Sequence, residues 1–170
     1  MVQNLLINSR PGLRWTGQVM NRKKILIVDD DSIILHSLSR LLSAAGYDIL
    51  TADDGSDAVS TVRREKPDLI LLDLIFPPDV AHGGGIAWDG FLIIDWLRRL
   101  DEARQTPILV MTKGDPAQYR NSSFAKGAAA FFPKPVDHDE LLATLRTILG
   151  GTAPELDTTL RVKLAAGRQI

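Results

Sequence analysis

The chain has no cysteine, which excludes a disulfide framework, a thiol nucleophile and a thiolate-ligated metal, and agrees with a reducing compartment. It has no excess of one charge either. Twenty Lys and Arg stand against 21 Asp and Glu, a net charge of −1, so no general attraction to nucleic acid is built in. Histidine is scarce: His36, His82 and His138 are too scattered to ligate zinc. Long apolar runs are also missing. Runs such as those at 24–28 and 69–72 fall far short of the ~20 residues that cross a bilayer, and the N-terminal stretch carrying Arg10 and Arg14 has no signal-peptide apolar block. These absences lead us to expect a cytoplasmic protein with no membrane partner. What remains is 170 residues, 45% hydrophobic and 24% charged, enough for one core with tails and no compositional case for disorder.

Between residues 24 and 150, short β-rich apolar runs alternate with segments of helical period. The strand candidates are 24–28, 47–52, 68–72, 107–111 and 129–132. Three are almost continuously apolar, as strands covered on both faces must be. Ile34, Leu38, Leu41 and Ala45 mark a first helix closed by Gly46. Asp54 opens a second, with Ala58, Val59 and Val62 inward, and Pro67 helps to end it. A third over 90–101 turns Ile93, Leu97 and Leu100 inward, and Trp96 is expected in or near the core. A mostly polar fourth starts at Pro116, and a fifth follows Asp137 with Leu141, Leu145 and Ile148 on one face. The pattern predicts an α/β fold, a doubly wound five-stranded parallel sheet of flavodoxin-like order 2-1-3-4-5 with helices on both faces.

In such a sheet the functional edge is formed by the carboxyl ends of the strands. Asp29, Asp30 and Asp31 follow the first strand, Asp73 the third, Thr112 the fourth, and Lys134 with Pro135 the fifth. Carboxylates gathered at one place repel unless a cation joins them, and hard oxygen ligands suit Mg²⁺. Lys134 offers a fixed positive charge to a phosphate oxygen and Thr112 a hydroxyl. A carboxylate nucleophile, a divalent cation, an ammonium and a hydroxyl together suffice to make an acyl phosphate. Taken singly these residues say little: a strand-end Asp is often a helix cap, as expected for Asp31 or Ser32.

The runs Ile25–Asp31, Asp68–Leu74 with Pro77, Pro107–Thr112, and Gly127-Ala128 leading to Lys134-Pro135 resemble the receiver domains of two-component response regulators over residues 22–149. The resemblance implies that Asp73 is the phosphoacceptor and that Asp29 and Asp30 hold Mg²⁺ with Asp73 and the backbone carbonyl of Ile75. It implies that Thr112 and Lys134 bind the phosphoryl group, that the peptide before Pro135 is cis, and that Thr112 and Phe131 shift on phosphorylation. The implied partners are a histidine kinase or histidine phosphotransfer protein and a downstream protein effector at the face of the fourth helix, fifth strand and fifth helix. A homodimer is a further possibility.

Three departures stand out. Residues 79–88, including Trp88, form an insertion beside the site, readable as a lid or partner loop or as a tolerated flexible segment. Lys113 follows Thr112 where the family favours a small residue. Ile75 and Gly114, two residues after Asp73 and Thr112, bring no polar group to orient an attacking water, which predicts slow loss of a phosphoryl group. We read residues 1–20 as an irregular extension, 21–150 as the receiver domain and 151–170 as a tail or short helix; Met20 is a plausible original start. Since only some twenty residues follow the fold, we expect no direct DNA binding. The Arg63-Arg64 and Arg98-Arg99 pairs read as solvated helix faces. The rival reading is a phosphatase of the haloacid dehalogenase type using Asp29 as nucleophile. It leaves Asp73 without a role, puts Ile33 where that class has threonine, and must draft Asp137 and Asp139, which look like helix caps.

Overall fold

The structure, a computed structural model, describes residues 22–76 and 89–150. In it, β1 (Lys24–Val28), α1 (Ser32–Ala44), β2 (Asp48–Ala52), α2 (Gly55–Glu65), β3 (Leu69–Asp73), α3 (Gly90–Arg99), β4 (Ile108–Thr112), α4 (Pro116–Ala125), β5 (Ala130–Pro133) and α5 (His138–Leu149) alternate along the chain. All strand pairs are parallel, in the order β2-β1-β3-β4-β5. This is the predicted order.

The apolar runs of β1, β3 and β4 make the centre of the sheet, where Ile25–Val28, Leu69–Leu72 and Ile108–Met111 are all fully buried. Successive side chains point to opposite faces, so each strand feeds two cores. Leu26, Val28, Ile70, Leu72, Ile108 and Val110 pack with Ala58 and Val62 of α2 and Ile93, Ile94 and Leu97 of α3. Ile25, Ile27, Leu69, Leu71, Leu109 and Met111 pack with Leu38 and Leu42 of α1 and Leu141 and Leu145 of α5. At roughly 1.5–3 kcal/mol for each large aliphatic side chain fully buried, these two layers supply most of the gross drive to fold.

Aspartate caps start every helix: Asp31, Asp54, Asp89, Asp115 and Asp137 each accept from backbone N–H groups of the first turn. Gly46, at φ +95°, provides the left-handed turn after α1. After α2 that role falls to Lys66, at φ 50°.

Several expectations need correction. Trp96 is exposed; the core stripe of α3 is Ile93, Ile94 and Leu97, and two residues beyond Ile94 is roughly the opposite side of a helix with 3.6 residues per turn. On α1 the buried pair is Leu38 and Leu42, whereas Ala45 is an exposed cap. Helix α3 stops at Arg99 rather than 101. Asp73 and Thr112 do not follow their strands but end them, paired with Met111 and Pro133. Arg98 is not a solvated partner of Arg99. Its guanidinium donates to the carbonyls of Ala103, Arg104, Thr106 and Gly127 at 2.8–3.3 Å, tying the loop after α3 to the turn before β5. The insertion, with Trp88, and the segments 1–20 and 151–170 lie outside the described residues.

Candidate functional site

The register of the sheet brings the site together. Val28 pairs with Leu72, Asp73 with Met111, and Thr112 with Pro133, so the ends of β1, β3, β4 and β5 share one edge. Three of those ends close in the same way. The N–H two residues on donates to the side-chain oxygen of the strand-end residue: Asp31 to Asp29 Oδ1 at 3.0 Å, Ile75 to Asp73 Oδ1 at 3.1 Å, and Gly114 to Thr112 Oγ1 at 3.2 Å. These local turns fix the three polar side chains before any ligand arrives.

Asp29, Asp73 and Thr112 are buried. Lys134 lies between the two acids, its Nζ 2.5 Å from Asp29 Oδ2 and 2.5 Å from Asp73 Oδ2, with its side chain almost fully covered. The Lys134 N–H donates to Thr112 O at 2.9 Å, which ties the lysine to the end of β4, and the Lys134–Pro135 peptide is cis. Removal from water pushes the Asp29 carboxyl above its ordinary value, against the pull of Lys134 and the Asp31 N–H. For Lys134, burial acts downward, but its bonds to Asp29 and Asp73 prevail and hold the ammonium above its ordinary value. Asp30 is exposed, yet the carboxylates of Asp29, Asp30 and Asp73 offer oxygens all within 4.8 Å of one another. That donor set, all hard oxygen, fits Mg²⁺.

Close backbone approach shapes the floor of the site. A Cβ on Gly90 would lie 2.5 Å from Asp73 O and 2.7 Å from Leu74 Cδ2, so only glycine lets α3 start against the end of β3. The Gly90 N–H donates to Leu74 O at 3.0 Å.

At the rim, Asp31 is the cap of α1, one of the two residues expected in that role, and it also faces Lys113, whose Nζ is 3.5 Å from Asp31 Oδ2. The Asp31 carboxyl sits below the usual range, chiefly because Ile33 N–H donates to it. Ile75 exposes its side chain. Phe131 does not join this polar cluster. It is buried in the core with the Arg120 guanidinium 5.1 Å above its ring. Asp137, which the phosphatase reading needed, accepts from Asp139 and Glu140 N–H as the cap of α5. Sequence reasoning missed the contact of Tyr119 with Gly114; the adjacency of Gly114 to a helix otherwise poor in apolar residues was its one signal.

Sheet order 2-1-3-4-5 with an acidic, lysine-bridged edge defines the class of CheY-like flavodoxin folds. The chain belongs to the response regulator receiver domain family: the model of that family, described as "Response regulator receiver domain", matches residues 25–146. Among curated proteins it is similar to the response regulator MprA of Mycobacterium avium, 36% identical over 134 residues, which are 79% of this chain and 54% of that protein. The chain thus spans about half the length of the curated relatives it matches. Among solved structures it is similar to chemotaxis protein CheY4 of Vibrio cholerae, with a TM-score of 0.66 and 30% identity, covering 75% of this chain and 99% of that one. It is also similar to the receiver domain of sensor histidine kinase PA1611 of Pseudomonas aeruginosa, which holds a magnesium ion in its active site cleft. That match has a TM-score of 0.65 and 25% identity over 76% of this chain and 99% of the other. The protein is therefore a receiver of a two-component system. Among the described residues no helix is long and apolar enough to cross a membrane.

Proposed function

We propose that this receiver takes a phosphoryl group onto Asp73 from a phosphohistidine of a histidine kinase or histidine phosphotransfer protein, with Mg²⁺ bound by Asp29, Asp30, Asp73 and the Ile75 carbonyl. The observation that carries the reading is Lys134 held between Asp29 and Asp73 beside a third carboxylate. An Asp73 carboxylate oxygen attacks phosphorus, the bond from phosphorus to the donor breaks, and its electron pair leaves with the imidazole. A cation held by Asp29, Asp30 and Asp73 would supply positive charge to neutralise the transferring group. Lys134, fixed by the turn from β5, gives up its bond to Asp73 and pairs with a phosphoryl oxygen, which keeps the developing charge matched without rearranging the backbone. The Thr112 hydroxyl, accepting from Gly114 N–H, still has its own proton to donate to another phosphoryl oxygen.

The proposed readout runs from Thr112 to the neighbouring Phe131 and on through Arg120 of α4, which covers that ring. A shift of Thr112 toward the phosphoryl group changes the space beside Phe131 and so the face of α4, β5 and α5, where an effector or a second copy would bind. We place the domain in the cytoplasm as a signalling element rather than a metabolic enzyme. Intact-mass measurement of wild type and Asp73→Asn after acetyl phosphate, with and without Mg²⁺, tests this. One phosphoryl group on wild type alone, and only with the cation, is expected. Modification of Asp29 instead would revive the phosphatase reading.

A further inference from the structure

Helix α4 is held at its flanks rather than through the core. Of its ten residues only Ser123 is buried, and the hydroxyl of that serine turns back to the Tyr119 carbonyl at 2.7 Å. A helix with so little apolar surface inward takes its position from side contacts. Toward α3 those contacts come from one stripe. Phe91, Asp95 and Arg98 stand four and three residues apart, the spacing of a single helix face, and each reaches α4 or the turn that ends it. The Phe91 ring stacks on Tyr119 with centroids 6.1 Å apart and planes 25° apart. Asp95 pairs at 2.6 Å with Lys126, the C-cap of α4, and the same ammonium lies 5.9 Å from the centre of the Phe91 ring. Arg98 donates to Gly127 O at 2.9 Å, one residue further on. Away from α3, Arg120 covers Phe131 at 5.1 Å, the aromatic that phosphorylation is proposed to shift.

These two grips compete. Lys134 is bonded to Asp73 Oδ2, so α4 stands here in the arrangement that goes with the unmodified carboxylate. When Phe131 shifts, α4 either follows it and leaves the α3 stripe, or stays with α3 and uncovers the ring. We infer that the Asp95–Lys126 pair, seated on Phe91, is a restraint that holds α4 in the unphosphorylated arrangement and so sets how readily phosphorylation moves the output face. A part-exposed ion pair and a cation over an aromatic ring each shift an equilibrium by only a few fold, so the restraint biases α4 without locking it. Coupling of this kind is reciprocal: whatever opposes the movement of α4 opposes, by the same factor, the binding of the group that drives it. Releasing Lys126 from Asp95 therefore tightens the hold of the site on a phosphoryl group or its mimic.

The inference rests on Asp73 as acceptor and on the Phe131 readout, and the test separates the three. Beryllium fluoride with Mg²⁺ is the probe, a phosphoryl mimic that binds a carboxylate reversibly. Its affinity for the full chain is measured by titration calorimetry, and hydrogen exchange of the α4 amides is followed with and without it. Wild type is compared with Asp95→Asn, Lys126→Met and Lys126→Arg; both side chains are part-exposed, so the variants should fold, and a thermal melt of each checks this. We expect Asp95→Asn and Lys126→Met to bind the mimic about threefold to fivefold more tightly than wild type and, without it, to exchange the α4 amides faster by a similar factor. Lys126→Arg keeps both the pair and the cation over Phe91 and should stay within twofold of wild type. If wild type does not bind the mimic, the acceptor reading fails and takes the inference with it. If wild type binds it with no change in α4 exchange, the readout fails and the restraint with it. If the mimic binds and alters α4, yet Asp95→Asn and Lys126→Met bind it within twofold of wild type or less tightly, the restraint is refuted while acceptor and readout stand.

Discussion

Replacing Lys134 by Met exposes the balance on which the site is built. The lysine side chain is 4% exposed, and it faces carboxylates that are 0% and 5% exposed, so solvent screens none of the three groups. Methionine fills a similar volume but leaves Asp29 and Asp73 buried without their cation. Breaking a buried ion pair by removing one partner costs about 3–5 kcal/mol, a large part of the 5–15 kcal/mol that typically holds a domain together. Urea titration at neutral pH in a chelating buffer should show that loss as a lower midpoint with unchanged slope. Saturating Mg²⁺ should recover more stability in the variant than in wild type, because the ion meets the same carboxylates without a competing ammonium; at a concentration one hundredfold above the dissociation constant the gain is about 2.7 kcal/mol. The loss should also shrink as the pH falls and Asp29, whose carboxyl is already held above its ordinary value by burial, takes up a proton. A loss below about 1 kcal/mol in chelator, or equal Mg²⁺ effects on both proteins, would refute the buried-pair reasoning.

Other perturbations read other parts of the structure. Burial raises the Asp29 carboxyl above its ordinary 3.8, so the folded state holds that proton longer than the unfolded one, and ionising it lowers stability as pH rises through the folded value. In chelator, Asp29→Asn should therefore gain on wild type as the pH rises from the ordinary 3.8 through the folded value in paired urea titrations, while losing Mg²⁺ affinity; a gap that narrows with rising pH contradicts it. Arg98→Ala should cost about 2 kcal/mol, since it strips a charged donor from four carbonyls, whereas Arg99→Ala should stay within about 0.5 kcal/mol; equal midpoints for the two variants would overturn that assignment. Gly90→Ala should destabilise by roughly 1–3 kcal/mol, because its Cβ has backbone rather than a flexible chain end to displace, and an unchanged melt would show that α3 can shift. With no polar side chain at Ile75 or Gly114, the wild-type acyl phosphate should persist for minutes or longer in a phosphate-release assay; loss within seconds would defeat that expectation.

Much of this protein could be read from its residues. Apolar runs at 24–28, 69–72 and 107–111 alternate with helical periods, and burial on both faces leaves such runs little choice but the middle of a parallel sheet. Local chemistry also sufficed for Gly46, where a left-handed turn was needed, and for the aspartates that cap α1, α2 and α5. The order of motifs gave the family. Other features depend on distances that no local pattern encodes. Trp96 and Arg98 look alike in sequence as members of α3, yet one faces solvent and the other reaches carbonyls across two loops, because the helix's rotation on the sheet is set by the whole core. That Lys134 would rest between residues 61 and 105 positions away, or that Tyr119 would fill the space at Gly114, was decided only when strand register and helix packing brought separate loops to one edge. Sequence determined which groups the strand ends carry, since that follows from short-range pattern and composition; tertiary structure alone decided which of them touch, since contact between loops depends on how every layer beneath them packs.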